Sequence, residues 1–152
     1  MATVVSDDID VLAKARRALP GGFVPSDAEP YMSEGQLEYF RRLLLEWKRS
    51  IMSASADTLQ QLQDGPIREP DLNDRASSET DWSIELRTRD RQRKLIAKIE
   101  AAVRRLDEGE YGYCEVTGEP IGLGRLTARP IATMTVEAQE AHERRERVSR
   151  DD

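Results

Sequence analysis

A chain of 152 residues has room for one ordinary domain, yet only 38% of its residues are hydrophobic and 34% are charged. This balance favours an extended helical shape over a single compact core. The formal net charge of −6 argues against a general DNA-binding protein, because such proteins carry basic surfaces. With no run of about eighteen apolar residues and no signal-peptide features at its start, the sequence predicts a cytoplasmic protein that avoids membranes.

Residues 1–32 are predicted to form an N-terminal segment with one short helix. Ser6 is the expected N-cap, and Ile9, Leu12 and Ala13 share one face. The helix must end by Pro20 and the two glycines that follow it.

Residues 33–108 are predicted to form two long helices. Ser33 and Gln36 make a capping box ahead of the first helix, which should continue to about Gln63 and span roughly 45 Å. Its apolar residues alternate at spacings of three and four, which is typical of a coiled-coil seam. They are Leu37, Phe40, Leu44, Trp47, Ile51 and Ala54.

The second long helix should begin at Asp74 as N-cap and end near Glu108, before Gly109. Ile96, Ile99, Val103 and Leu106 repeat the seam spacing. Since residues 64–77 contain Gly65, Pro66 and Pro70, we expect them to form the tip of an antiparallel hairpin.

Charge is distributed unevenly along this hairpin. Residues 53–81 contain seven acids and two bases, a net charge of −5, whereas residues 85–105 contain eight bases and three acids, a net charge of +5. In Arg87–Lys94 five of eight residues are basic, and upstream Trp82 and Leu86 are the side chains expected to pack in the seam. Both a solvated helix face and an interaction patch remain open interpretations.

Residues 109–134 contain several closely spaced glycines and prolines, which predict a small turn-rich lobe (hereafter the lobe). Thr135 is the expected N-cap of a final helix from Val136 to about Arg147, in residues 135–152. The expected fold class is therefore all-α: a long antiparallel coiled-coil hairpin with a small globular lobe and a C-terminal helix.

Four segments in this order resemble the DksA/TraR family of bacterial transcription factors. They are YMSEGQLEYFRRLLLEW, PDLNDRAS, ELRTRDRQRKLIAKIEAAVRRL and YGYCEVTGEPIGLGRLTARP. The resemblance implies a protein that binds RNA polymerase through the secondary channel and modulates initiation at ribosomal RNA and amino-acid promoters in the stringent response. By resemblance, Asp71, Asp74 and Ala76 form the tip that approaches the polymerase active site.

The same resemblance implies a site for the alarmone ppGpp at the interface with polymerase, made by Arg91, Leu95, Lys98 and Arg129. These include cations suited to phosphates. A further family lysine corresponds here to Gln139, so we expect weakened dependence on ppGpp.

The family's four zinc-binding cysteines correspond in this chain to Cys114, Thr117, Thr135 and Ala138. Threonine and alanine supply no thiolate, and the sole histidine, His142, cannot complete a tetrahedral site. We therefore expect a zinc-independent variant without metal, whose lobe is held by apolar packing. The expected core residues are Tyr111, Tyr113, Ile121, Leu123, Leu126, Ile131, Met134 and Val136.

No nucleophile paired with a base and no phosphate-binding glycine loop is recognisable, so we expect no enzymatic activity. We also expect a monomer that does not bind DNA directly. Two alternatives stay open. One is a Gre-like transcript-cleavage or anti-backtracking factor, because tip carboxylates can recruit magnesium. The other is a coiled-coil adaptor with another partner.

Overall fold

The computed structural model describes residues 3–63 and 72–151. Within these ranges the chain forms five helices: α1 (Thr3–Ala18), α2 (Glu34–Gln63), α3 (Leu72–Glu108), α4 (Leu123–Ala128) and α5 (Val136–Asp151). The described residues contain no strand, and their β-structure is limited to one isolated bridge between Tyr113 and Pro120. The predicted all-α fold class is confirmed. No helix in these ranges is both long and apolar enough to cross a membrane.

Helix α1 begins earlier than predicted. Ser6 is the fourth residue of the helix rather than its N-cap, so that prediction is wrong. Leu12 and Ala15 are buried, which places the buried edge of α1 at a spacing of three residues. The helix ends at Ala18, ahead of Pro20, as the sequence predicts.

Helix α2 begins at the predicted cap. The Ser33 Oγ accepts a hydrogen bond from the Gln36 amide at 3.3 Å, which satisfies one free donor of the first turn. The Gln36 side chain reaches one residue further back than in the usual capping box, because its Oε1 accepts from the Met32 amide at 2.8 Å. The Gln36 Nε2 also donates to the Ser26 carbonyl at 3.1 Å, so this fully buried side chain has its polar atoms satisfied.

Helix α3 ends as predicted at Glu108. Gly109 then adopts a φ of 76°, the left-handed conformation that glycine reaches without steric cost. The Glu110 amide donates to the Arg105 carbonyl at 2.9 Å, and the Gly109 amide donates to the Leu106 carbonyl at 3.3 Å. This pair of bonds is a Schellman-type end.

The described chain divides into two compact units. The first unit combines Met1–Leu19 with Leu45–Ile99. Its buried apolar side chains come from three helices: Leu12 and Ala15, Trp47 and Ile51, and Ile99. Lys14 helps to lower the pKa of Glu46, after the larger effect of the hydrogen bond from Arg49, so α1 lies near α2 in this unit.

Two predicted seam residues of the first unit do not pack. Trp82 is 43% exposed and Leu86 is 58% exposed, so the expectation that they bury against α2 is wrong. Trp47 and Ile51, in contrast, are buried as predicted. Among the α3 residues of this unit whose side chains the structure describes, only Ile99 is buried.

The second unit combines Pro20–Leu44 with Glu100–Asp152. In it α2 and α3 run antiparallel, because Arg41 near the start of α2 meets Asp107 near the end of α3 at 2.7 Å. Phe40 of α2 contacts Tyr111 of the lobe, with ring centroids 5.5 Å apart. Large buried side chains of this unit contribute about 1.5–3 kcal/mol each; they include Phe40, Leu43, Leu44, Leu106, Tyr111, Ile121, Leu123 and Leu126.

Candidate functional site

The predicted tip lies largely beyond the described side chains. Asp71 is outside the residues that the structure describes. Asp74 and Ala76 are the third and fifth residues of α3, so Asp74 is inside the helix and its prediction as N-cap is wrong.

Three of the four predicted ppGpp residues share one face of α3. Arg91, Leu95 and Lys98 are four and three residues apart, so they lie within about 60° around a helix with 3.6 residues per turn. Leu95 is half-buried and Lys98 is exposed. This face therefore presents cations beside an apolar side chain.

Arg129 belongs to the second unit, whereas the other three ppGpp residues belong to the first. It is exposed and follows α4, and its amide donates to the Arg125 carbonyl at 2.7 Å. Gln139, which stands where the family has a lysine, is half-buried and donates to Glu143 at 3.1 Å. A ppGpp site made by all four residues stays a prediction.

The four positions that correspond to the family's zinc ligands come together in the lobe and the start of α5. The Cys114 thiol is hydrogen-bonded by Thr117 and by the Thr135 amide. The Thr135 Oγ1 in turn accepts from the Ala138 amide at 3.2 Å, so Thr135 caps α5 as predicted. These bonds connect the lobe, which contains Cys114 and Thr117, to the start of α5 at Thr135 through one sulfur atom.

The Cys114 thiol is buried, and burial by itself raises its pKa. Hydrogen bonds from Thr117 and from the amides of Thr135 and Val116 outweigh burial and lower the pKa from 9.0 to about 7. Amide donors stabilise a thiolate in the way that they stabilise other anions. Cys114 therefore has thiolate character near neutral pH.

A segment before α2 is fastened to the lobe by hydrogen bonds that sequence reasoning missed. The Tyr31 hydroxyl donates to the Gly112 carbonyl at 2.6 Å and accepts from the Gly122 amide at 3.1 Å. The Tyr31 ring also meets Tyr113 edge-on, with centroids 5.7 Å apart. These partners lie 81 and more residues apart along the chain, and no local pattern marks such a pairing.

Apolar packing in the lobe follows the sequence prediction in part. Tyr111, Ile121, Leu123 and Leu126 are buried, and the Tyr111 hydroxyl donates to the Pro130 carbonyl at 2.7 Å. Tyr113, Ile131 and Met134 are half-buried, and Val136 is 45% exposed. Val136 is therefore wrongly assigned to this core, because it is the first residue of α5 and faces solvent.

Two long helices followed by a small turn-rich lobe and a final helix place this chain in the class of all-α proteins with a coiled-coil fold. Two family models match consecutive segments: the N-terminal domain of DnaK suppressor protein DksA over residues 36–106 and the prokaryotic dksA/traR C4-type zinc finger over residues 109–144. The chain belongs to the DksA family.

Curated relatives and a solved structure agree with this membership. The RNA polymerase-binding transcription factor DksA of Caulobacter vibrioides is 64% identical over 128 residues, covering 84% of this chain and 90% of the relative. The protein of the same name from Escherichia coli K12 is 42% identical over 119 residues, covering 78% and 79%. The structure of transcription factor DksA2 from Pseudomonas aeruginosa gives a TM-score of 0.70 at 39% identity, covering 92% of this chain and 98% of that chain.

The expectation of a zinc-independent variant without metal is contradicted by the match to the C4-type zinc finger, which points to zinc binding. The donors of a four-thiolate site are nevertheless not present, because Cys114 is the one cysteine in the sequence. Among the residues that the structure describes, no three His, Cys, Asp or Glu side chains are grouped to hold a metal ion. The side chains at these positions therefore do not fit the C4 set that the family model names.

Proposed function

We propose that this protein is a transcription regulator that binds bacterial RNA polymerase and acts in the cytoplasm without catalysing a reaction. The observation that carries the proposal is the 64% identity, over 84% of the chain, to a relative named as an RNA polymerase-binding transcription factor. The same similarity disfavours an adaptor with an unrelated partner, because it extends across both long helices and the lobe.

The protein binds polymerase through the secondary channel, with residues 64–77 entering first. A pair of helices is narrow enough for a channel, and carboxylates at its end can engage basic groups or bias a mobile catalytic element. Asp71, Asp74 and Ala76 are the proposed tip residues. The acidic balance of residues 53–81, a net charge of −5, supports this assignment.

The alarmone ppGpp strengthens the effect by binding where the protein meets polymerase. The shared face of Arg91, Leu95 and Lys98, together with the exposed Arg129, supports this proposal because guanidinium and ammonium groups bind phosphates. Gln139 supplies no charge. We expect ppGpp to act at higher concentrations here than in relatives with a lysine at that position.

Regulation follows from a difference in affinity between two states of the promoter complex. A factor that binds one state more tightly shifts the population toward that state by the ratio of its affinities. Short-lived open complexes, such as those at ribosomal RNA promoters, are then repressed, and some amino-acid promoters are activated. The protein acts on polymerase as a monomer and makes no sequence-specific contact with DNA.

The Asp74→Asn substitution tests the tip. We expect polymerase binding within about twofold of the wild-type value and loss of most of the repression at a ribosomal RNA promoter, since only a tip charge changes. Open-complex lifetime and a binding assay provide the two measurements. Asp57→Asn, which changes an exposed carboxylate of α2, is the matched control and should keep full regulation.

Full repression by the Asp74→Asn variant would show that the tip does not carry the regulatory effect.

A transcript-cleavage assay on stalled polymerase complexes distinguishes the proposed regulator from the remaining alternative, a Gre-like factor. Magnesium-dependent cleavage stimulated by the wild-type protein would indicate a Gre-like factor instead of an initiation regulator.

A further inference from the structure

Three large apolar side chains lie exposed within five residues of α3. Trp82 is 43% exposed, Ile84 is 45% exposed and Leu86 is 58% exposed. Ile84 is about 200° around the helix from Trp82 and lies on the other side of α3, whereas Trp82 and Leu86 are neighbours four residues apart on one side. Isolated exposed apolar residues are normal on protein surfaces, but an adjacent pair that includes tryptophan marks a candidate contact surface. Coiled-coil packing therefore does not account for this part of the helix.

Trp82 and Leu86 continue into a row of arginines on the same side of α3. Arg89 and Arg93 follow at the helical spacings of three and four residues, so the four side chains lie within about 60° around the helix. Trp82, Leu86, Arg89 and Arg93 are called the contact stripe below. A shallow depression of about 330 Å³ is lined by Leu86, Arg89, Asp90 and Arg93.

The arginine end of the contact stripe is ordered by neighbouring charges. Asp90 forms ion pairs with Arg93 and with Lys94, the latter at 3.1 Å. The Lys94 and Arg93 hydrogen bonds lower the pKa of Asp90. A cation held by a neighbour on its own helix loses less side-chain entropy when a partner binds it.

The contact stripe is distinct from the predicted ppGpp face. Arg89 and Arg91 are two residues apart, which corresponds to about 200° around an α-helix. Arg91, Leu95 and Lys98 therefore lie on the opposite side of α3 from Trp82, Leu86 and Arg89. The two faces can bind different partners, so the contact stripe needs an explanation of its own.

We propose that the contact stripe is a docking surface for an acidic, partly apolar face of RNA polymerase. This inference rests on the proposed function. Trp and Arg dominate the energetics of protein interfaces because they combine large apolar area with polar groups. Arg89 and Arg93 favour an acidic partner face by charge complementarity. The exposed Trp82 and Leu86 favour a protein face over a phosphate backbone, because they offer apolar area to bury.

The test compares full-length variants in equilibrium binding to purified bacterial RNA polymerase. The double variant Trp82→Ala/Leu86→Ala should bind about 10-fold or more weakly. Arg89→Glu should also weaken binding and should flatten its dependence on salt, because screening acts on the charge pair that is lost. Leu45→Ala, which truncates a 47% exposed residue of α2 in the same unit, is the matched control and should bind normally.

The outcomes separate this inference from the proposed function. If wild-type protein binds polymerase and the double variant binds equally well, with unchanged helicity and thermal unfolding, the contact stripe is not the docking surface while polymerase binding stands. Wild-type protein that does not bind polymerase would overturn both. Sedimentation that detects a wild-type dimer dissociated by Leu86→Glu would overturn the inference in favour of a second copy of this chain.

Discussion

Gly112 is a position in the lobe at which an added side chain would be both strained and crowded. Its φ is 91°, and an added Cβ would lie 2.8 Å from the Met32 Sδ and 3.2 Å from the Tyr31 hydroxyl. We therefore expect Gly112→Ala to lower the free energy of unfolding by about 2–4 kcal/mol through backbone strain and the displaced contact. Urea unfolding followed by circular dichroism measures the loss.

Gly118 is the matched control for this substitution. Its φ of 75° is similarly unfavourable for other residues, yet an added Cβ would meet no atom within 4 Å. Gly118→Ala should lower the free energy of unfolding by about 1 kcal/mol, from backbone strain alone. Equal losses of unfolding free energy in the two variants would show that contacts with Tyr31 and Met32 add nothing to the cost at Gly112.

Cys114 predicts a pH-dependent contribution to stability. Since its pKa falls from 9.0 to about 7 on folding, the thiolate favours the folded state. The contribution is full above about pH 9 and is lost as pH falls through 7. Two pKa units correspond to at most about 2.7 kcal/mol.

Urea unfolding of wild-type protein and Cys114→Ala at pH 6 and pH 9, in reducing buffer with a chelator, measures this contribution. The difference in free energy of unfolding between the two proteins should be larger at pH 9 by about 2 kcal/mol. A difference that is the same at both pH values would mean that the amide donors do not stabilise the thiolate.

At the scale of elements, the start of α2 depends on the cap made by Ser33. Its Oγ accepts the Gln36 amide at 3.3 Å, and its own amide donates to the Pro30 carbonyl at 3.1 Å. We expect Ser33→Ala to lower the free energy of unfolding by about 1 kcal/mol, because a first-turn donor loses its partner. Thermal unfolding followed by circular dichroism provides the measurement.

Ser53→Ala is the control, since Ser53 is exposed in the middle of α2. Alanine is a better helix former than serine, so this variant should be unchanged or slightly more stable. Destabilisation of Ser53→Ala to the same extent as Ser33→Ala would contradict a specific capping role.

Helix α3 illustrates how one element carries several faces. Ile99 is buried, Arg91, Leu95 and Lys98 occupy one flank, and the contact stripe occupies the other. A periodic apolar pattern identifies only the buried face. The exposed apolar residues Trp82 and Leu86 fit the same spacing, which is why the sequence assigns them wrongly to the seam.

At the scale of the whole molecule, the net negative charge disfavours binding to nucleic acid. With 29 acidic and 23 basic residues, the chain is repelled on average by nucleic-acid phosphates. We expect no retention of a promoter fragment by the protein alone at about 150 mM salt, and a changed lifetime of the complex when polymerase is added. A mobility-shift assay with and without polymerase tests this. Tight, salt-sensitive retention of free DNA would contradict it.

The sequence by itself predicted the long helices, because capping residues and apolar spacing are local properties. Ser33 at the start of α2, Gly109 after α3 and Thr135 before α5 all act as their residue types suggest. The cap residue types Ser6 and Asp74 predicted the wrong helix starts, because α1 begins at Thr3 and α3 at Leu72. There, helical structure extends beyond the residue that local preference selects.

Only the tertiary structure decided which residues meet across long distances in the chain. The bonds of Tyr31 to Gly112 and Gly122, and the gathering of Thr117 and Thr135 around Cys114, join segments that no local pattern links. The exposure of Trp82 and Leu86 likewise could not be predicted from the sequence. Apolar spacing predicts that a helical face could be buried, whereas burial itself depends on whether another element is there to cover it.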